Sequence, residues 1–93
     1  MTVTELPKFV TPLQIRAARA LLDWTQIDLA KAAGYSTTTI WRVENGSPDA
    51  ARPLGVLVET FQGADIEFIS EDDVIGVQLH QRMIGDAIYL PLS

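Results

Sequence analysis

The sequence TQIDLAKAAGYSTTTIWRVENG spans residues 25–46 and predicts two short helices joined by a tight turn. Thr25 is a suitable N-cap for the first helix, and Asp28 stands at its third position, which is the spacing of a capping box. Gly34 can adopt the left-handed backbone that ends a helix and opens a sharp turn. Ser36 follows two residues later as the N-cap of the second helix.

The second helix has two faces of different character. Ile40 and Val43 are three residues apart, so they point to the same side and are expected in the core. A second face need not be buried, and it carries Thr38, Trp41, Arg42 and Asn45. Two helices joined by a glycine turn, with polar groups along one side of the second, have the geometry that lays a helix in the major groove of DNA.

At these positions the sequence resembles the XRE family, the phage-repressor-like helix-turn-helix regulators. The resemblance covers roughly residues 12–62 and rests on spaced residues in both helices: Gln26, Leu29, Ala30, Ala33, Gly34, Ser36, Ile40, Glu44 and Gly46. It implies a helical DNA-binding domain with one helix before the motif and another after it.

The resemblance also implies roles for individual residues. Gln26 stands where the family contacts a phosphate, and the positive end of its helix would strengthen that contact. Thr37 and Thr38 occupy the family's base-reading positions, although threonine alone gives only soft specificity. Asn45 is similar to a family position that contacts the DNA backbone.

Other candidate contacts follow from side-chain chemistry. The planar guanidinium of Arg42 matches guanine O6 and N7, so Arg42 is the strongest candidate for direct base recognition, with a phosphate contact or a surface salt bridge as the alternatives. Trp41 either stacks on sugar or thymine methyl groups at the groove wall or covers part of the last helix or a partner protein, and the sequence leaves these open. Tyr35 and Thr39 either reach a phosphate or pack on the domain. Arg52 is a further candidate for the DNA backbone.

A helix before the motif has clear starting signals. Thr11 is its cap, Pro12 its first residue and Gln14 its third. Arg19 lies in the middle of this helix, and the resemblance implies an ion pair with Glu44. The alternative is an arginine in solvent.

The core and the last helix follow from apolar spacing. Leu21 and Trp24 are expected to close the edge of the core, and Ile27 to belong to the apolar face of its helix. The last helix is predicted from Pro53 to Gln62, with Gly63 as its stop.

Apolar and polar residues alternate after residue 65, which predicts a β-hairpin whose turn is Glu71, Asp72 and Asp73. Three adjacent acids at a turn are usually only solvated, so no metal site is expected. The hairpin and the tail after it carry more apolar residues than a small helical domain can cover. They are therefore the predicted dimer or partner contact: Ile66, Phe68, Ile75, Val77, Leu79, Ile88, Tyr89 and Leu90.

The net charge of −5 is unusual for a DNA-binding protein, but it is unevenly distributed. Residues 12–62 carry five basic and five acidic side chains, whereas residues 63–93 carry six acids and only Arg82. The acidic part should therefore face away from phosphates. A further candidate for DNA contact is Lys8 in the N-terminal arm.

Composition excludes several classes of function. The absence of cysteine and the single histidine, His80, leave no cysteine nucleophile and no histidine cluster for a metal. No Gly-rich phosphate loop or paired carboxylates are recognisable, so we expect neither an enzyme nor a cofactor. No membrane span or signal peptide is evident, and we expect a soluble, cytoplasmic protein.

These observations predict one mainly α domain: an arm at 1–10, a four-helix helix-turn-helix core at 11–62, and an acidic β-hairpin and tail at 63–93. The predicted function is a homodimeric, sequence-specific repressor that binds double-stranded DNA. One alternative is an antitoxin that regulates its own operon and binds a protein toxin through the acidic C-terminal part. Another is a helix-turn-helix fold used only for protein contacts.

Overall fold

A computed structural model of the protein describes residues 9–80 as four helices followed by two strands. The elements are α1 (Pro12–Leu22), α2 (Gln26–Ala33), α3 (Thr37–Glu44), α4 (Ala51–Gly63), β1 (Ile66–Ser70) and β2 (Ile75–Leu79). The predicted fold class, mainly α with a C-terminal hairpin, is confirmed. The predictions made for Lys8, Ile88, Tyr89 and Leu90 lie outside the described residues.

The helix ends follow the predicted local chemistry. Thr11 and Gln14 form a complete capping box at the start of α1, and Thr25 and Asp28 form one at the start of α2. Gly34 ends α2 in the left-handed conformation, with φ of 76°. The Ser36 side chain accepts from the backbone N–H of residue 39 and so caps α3. These caps fix the two motif helices and the turn between them.

The last helix begins two residues before the predicted start. It runs over Ala51–Gly63, so Pro53 is its third residue and not its first. Proline is tolerated there because the first N–H groups of a helix have no carbonyl partner within it. Gly63 is the last helical residue, and Ala64 is the C-cap.

The core is built from all four helices and the hairpin. Ile15, Leu29, Ile40, Leu57 and Phe61 are fully buried in it. Two aromatic contacts extend it, since the Phe61 ring stacks on Trp24 at a centroid distance of 5.8 Å and meets Phe68 edge-on at 6.0 Å.

Two residues expected at the core are exposed. Leu21 is 44% exposed and Ile27 is 56% exposed. Leu21 follows Ala18 by three residues, and its side chain points about 60° away from that of Ala18 around the helix axis. It therefore lies outside the buried face that Ile15 and Ala18 share. Ile27 lies about 160° from Leu29, at the opposite side of α2. Both predictions were wrong because each helix buries only a narrow stripe of its surface. Leu21 and Ile27 are apolar residues that lie outside that stripe.

The two strands form an antiparallel hairpin in which Ile66 faces Leu79, Phe68 faces Val77 and Ser70 faces Ile75. Ile66 and Phe68 are buried at 3% and 6% exposure, against the helices of the same chain. The premise that they are uncovered and available to a dimer partner was therefore wrong. The four helices leave one side of the core uncovered, and β1 covers it with Ile66 and Phe68.

Gln14 attaches the hairpin to α1. Its side chain is 2% exposed, and Nε2 donates to the carbonyl oxygens of Ile69, at 2.8 Å, and Gly76, at 3.0 Å. The Ser70 hydroxyl donates to the Phe9 carbonyl at 2.6 Å, which connects the chain before α1 to the same hairpin. The hairpin is thus bound to the helices through polar contacts as well as apolar packing.

Among the helices found between residues 9 and 80, none combines the length and the apolar character needed to cross a membrane.

Candidate nucleic-acid interface

The outward side of α3 presents a continuous row of side chains to solvent. Thr37, Thr38, Arg42 and Asn45 are exposed, and Trp41 is 56% exposed. The opposite side carries Ile40 and Val43, which are buried. The predicted division of this helix into two faces is confirmed, and it leaves donors, a cation and an indole ring on one accessible surface.

A buried carboxylate holds α3 to the first helix. Glu44, the last residue of α3, is only 2% exposed. Arg19 on α1 donates to it twice, with Nε 2.6 Å from Oε2 and Nη2 2.9 Å from Oε1. The hydrogen bond to Glu44 raises the pKa of Arg19 above its ordinary value, so the guanidinium stays charged. The ion pair that the resemblance implied is confirmed in this geometry.

Two further side chains converge on Glu44. Gln26 Nε2 donates to Glu44 Oε1 at 3.1 Å, and Arg16 Nη1 donates to the Glu44 backbone carbonyl at 3.1 Å. Arg19 also donates through Nη1 to the carbonyl of Trp24. We refer to Arg16, Arg19, Gln26 and Glu44 as the Glu44 network. Because it connects α1, α2 and α3, it fixes the angle at which the outward side of α3 is presented.

The N-terminus of α2 is already occupied by this chain's own groups. The Asp28 carboxylate accepts from the backbone N–H of Thr25 at 2.9 Å, and the Thr25 hydroxyl accepts from the Asp28 N–H at 3.0 Å. The hydrogen bond from the Thr25 backbone N–H first, and then the Thr25 side chain, lower the pKa of the Asp28 carboxyl group below its usual range. A phosphate at Gln26 would therefore lie near a carboxylate, so the helix end adds less attraction than the sequence suggested.

The other residues predicted to contact DNA differ in how far their side chains are already engaged within the protein. Asn45 Nδ2 donates to the Trp41 carbonyl at 2.8 Å, so one of its donors already closes the end of α3. The Thr39 hydroxyl lies 3.1 Å from that of Ser36. Tyr35 is half-buried and packs against the core. Arg52 is exposed near the start of α4. The predicted DNA roles of these residues remain predictions.

Arg42 has one electrostatic neighbour that the sequence analysis missed. Asp49, in the loop after α3, has its pKa lowered by a hydrogen bond from Ser47 and, less strongly, by the charge of Arg42. Among residues 9–80 the Arg42 guanidinium has no hydrogen-bond partner. The guanidinium therefore lies near the Asp49 carboxylate without being hydrogen-bonded to it.

The structural roles of Gln14 and Arg16 were also missed. Gln14 had a clear signal as a capping residue, but nothing local indicates that its amide reaches strands more than fifty residues away. Arg16 was counted only as a charge. Its spacing of three from Arg19 was the available signal, since residues three apart share a helix face.

Comparisons with known proteins agree with this geometry. A family model described as "Helix-turn-helix" matches residues 15–53, which contain most of α1, all of α2 and α3, and the start of α4. An uncharacterised HTH-type transcriptional regulator of Methanocaldococcus jannaschii is 42% identical over 62 residues, which cover 64% of this chain and 94% of that protein. With its two capped motif helices, the left-handed glycine between them and these matches, the chain belongs to the XRE-type family of helix-turn-helix proteins.

Proposed function

We propose that this protein is a sequence-specific DNA-binding transcriptional regulator that acts in the cytoplasm as a homodimeric repressor. The family and the named relative support DNA-binding regulation and a role without catalysis. The observation that carries the proposal is the outward side of α3, which offers Thr37, Thr38, Trp41 and Arg42 to solvent while Glu44 at its end is buried in the Glu44 network.

In this proposal α3 enters the major groove. Thr37 and Thr38 meet base edges at its N-terminal end. Arg42 forms two hydrogen bonds to a guanine, and such a pair contributes roughly 1–3 kcal/mol of discrimination. Trp41 packs against sugar or thymine methyl groups at the groove wall. Two such helices in a dimer would bind half-sites about one helical turn apart.

Contacts to the DNA backbone position the helix. The candidates, in chain order, are Gln26, Tyr35, Thr39, Asn45 and Arg52. Gln26 keeps one N–H beyond the bond to Glu44, and Asn45 keeps one beyond the bond to Trp41. Arg52 is exposed and available to a phosphate or to a second protein. These contacts set the register without selecting the sequence.

Few of the cations within residues 9–80 are free for phosphates. Of the five basic residues in the described chain, Arg16 and Arg19 are engaged in the Glu44 network, which leaves Lys31, Arg42 and Arg52. Each phosphate contact lowers the slope of log K against log salt by about 0.9. We therefore expect these three side chains to contribute a slope of about −3 or shallower in each subunit. Non-specific binding should be weak.

The test is fluorescence anisotropy with the DNA upstream of the protein's own gene, at two salt concentrations and with competitor DNA. Wild type should bind saturably, and Arg42→Ala should lose preference for this DNA over the competitor. Lys31→Ala is the matched control, because it removes the same charge from α2 without touching α3. It should weaken binding to all sequences alike and make the salt slope shallower by about one.

The outcomes separate the alternatives. Equal loss of preference in both variants would contradict base recognition by Arg42. Absence of binding to any DNA, by a folded protein at low salt, would contradict the proposal and favour a helix-turn-helix fold used for protein contacts. Trp41 would then be the first surface to examine.

A second candidate function is an antitoxin that represses its own operon and also neutralises a protein toxin. One observation favours it: the hairpin tip combines Glu71, Asp72 and Asp73 with Val74 and Ile75, which are 51% and 40% exposed. An apolar patch beside acids suits a partner with a basic surface. Residues 81–93 belong to the same acidic part of the sequence.

This candidate is tested by co-expression with the product of the adjacent gene. Ile75→Ser and a chain ending at residue 80 should restore growth inhibition if that product is a toxin. Retention of DNA binding by both variants is the control, because it shows that the helix-turn-helix unit is intact. Unchanged growth with every variant would contradict the antitoxin function.

A further inference from the structure

The outward side of α4 carries an apolar groove that the proposed DNA contact does not use. Its volume is about 300 Å³, and Glu59 and Gln62 line it together with Val10, Ala51, Leu54, Gly55 and Val58. A neighbouring hollow of about 250 Å³ shares Ala51 and Leu54 and continues the surface toward the loop after α3. Together the groove and the hollow form one concave strip along α4. The opposite side of α4 packs in the core through Leu57 and Phe61.

Gly55 lies in the middle of this strip. A glycine inside a helix destabilises the helix relative to alanine. Gly55 does not have a positive φ, and a Cβ built there meets nothing within 4 Å. The described part of the chain therefore gives no reason for a glycine at this position. A glycine that its own fold does not require is suited to the close approach of a second backbone.

Two charges border the groove. Arg52 and Glu59 are exposed and seven residues apart, so they lie two turns apart on one side of α4. Neither has an ion-pair or hydrogen-bonding partner for its side chain within residues 9–80. A second α4 running parallel to the first would bring like charges together. An antiparallel one would bring each arginine toward the glutamate of the other copy.

The same antiparallel arrangement also places small side chains of one copy opposite larger side chains of the other. With a twofold axis passing between Val56 and Leu57, Gly55 faces Val58 of the second copy, and Ala51 faces Gln62 of the second copy. Each small residue thus receives a larger one. Arg52 is then displaced from Glu59 of the second copy by two residues, about 3 Å along the axis, which long side chains span easily.

We propose that the occupant of the groove is a second copy of this chain, docked antiparallel through α4. Val58 covers Gly55 of the other copy, and Arg52 pairs with Glu59 across the axis. The inference rests on the homodimer of the proposed function and gives its contact surface. It assigns the dimer contact to α4 and not to the hairpin, whose Ile66 and Phe68 are already buried.

The first test is Gly55→Gln in the full chain, with sedimentation equilibrium from about 1 μM to 1 mM, the range of weak to moderate association. Glutamine is a good helix former, and space is open at the site, so the variant should fold and resist urea at least as well as wild type. Its dimer dissociation constant should rise about tenfold or more, because the added side chain fills the contact.

Gly63→Gln is the matched control. Gly63 is also an exposed helical glycine with open space around it, but it does not line the groove. Its dimer dissociation constant should equal that of wild type. A dimer that tolerates Gly55→Gln as well as Gly63→Gln would overturn the inference, as would a wild-type chain that stays monomeric over the whole range.

The second test reverses the charges. Arg52→Glu and Glu59→Arg should each weaken the dimer, and the double variant should recover it. Mixing the two single variants should give heterodimers in preference to either homodimer. Failure of the double variant to recover would exclude the antiparallel pairing.

The anisotropy assay keeps this inference distinct from the proposed function. A protein that dimerises as described but binds no DNA would contradict the DNA-binding function and leave the α4 contact standing. A Gly55→Gln dimer that binds two half-sites as wild type does would contradict the α4 contact and leave the function standing.

Discussion

Arg19 and Glu44 form a two-point ion pair in which the two partners differ in their access to water: the Arg19 side chain is 21% exposed and that of Glu44 is 2% exposed. Arg19 can turn part of its guanidinium to solvent if its partner is lost. Glu44 cannot do so, since it lies beneath α1 and α2. The energetic consequences of breaking the pair should therefore depend on which side is removed.

Arg19→Met should lower the free energy of unfolding by about 3 kcal/mol, because within residues 9–80 it leaves a buried carboxylate with only the Gln26 amide as a side-chain donor. Glu44→Gln should cost less, because the remaining arginine stays partly hydrated. The double variant should lose less than the sum of the two single variants. Urea denaturation measures all three. A larger loss for Glu44→Gln than for Arg19→Met would contradict this account.

Gln14→Glu should loosen the hairpin without unfolding the helices. The new carboxylate has the shape of the amide but cannot donate to the carbonyls of Ile69 and Gly76. Burial would raise the pKa of the new carboxyl group, so the variant should be most stable when that group is protonated and lose stability as the pH rises from about 4. Hydrogen exchange should quicken in β1 and β2 first. Gln14→Met is the control without a charge, and its stability should not show this pH dependence.

Acid should weaken the start of α2. The pKa of Asp28 is lowered in the folded protein, so its contribution is fully present above the ordinary aspartate pKa of about 3.9 and is lost as the pH falls through the lower folded value. Asp28→Asn keeps an acceptor for the Thr25 N–H but has no charge to lose. The decline of Tm between about pH 4 and pH 2 should be shallower in the variant. Identical profiles would show that the capping carboxylate has no such role.

Tryptophan fluorescence should report DNA binding from one ring only. The chain has two tryptophans: Trp41 is exposed on α3, and Trp24 stacks on Phe61 in the core. Addition of the upstream DNA should quench the exposed ring. Trp24→Phe should keep the change in emission, and Trp41→Phe should abolish it. A change that survives Trp41→Phe would mean that the DNA does not contact the outward side of α3.

Structural features that depend on residues close together in the chain could be predicted from the sequence. Both capping boxes, the Gly34 turn and the Ser36 cap were predicted because each involves groups no more than four residues apart. The two faces of α3 followed from helical periodicity. The Arg19–Glu44 pair came from family resemblance, since no local pattern joins residues 25 positions apart.

Features that depend on packing were not predictable in the same way. The alternation in the hairpin predicted its strands correctly, but it gave no indication that Ile66 and Phe68 would be covered by the chain's own helices. The nearness of Asp49 to Arg42 depends on the path of the loop after α3. Exposure of Leu21 and Ile27 depends on how wide a stripe each helix buries. These features depend on how helices, strands and loops pack against one another. The periodicity of residues within a single element carries no information about that packing.

The attachment of Gln14 to the strands has a consequence for the growing chain during translation. Its acceptors, the carbonyls of Ile69 and Gly76, follow it by 55 and 62 residues. While the nascent chain is shorter than this, α1 can form on its Thr11 cap, but the Gln14 amide has only water to donate to. The side of α1 that the hairpin covers therefore stays open to chaperones and proteases until the hairpin has been synthesised.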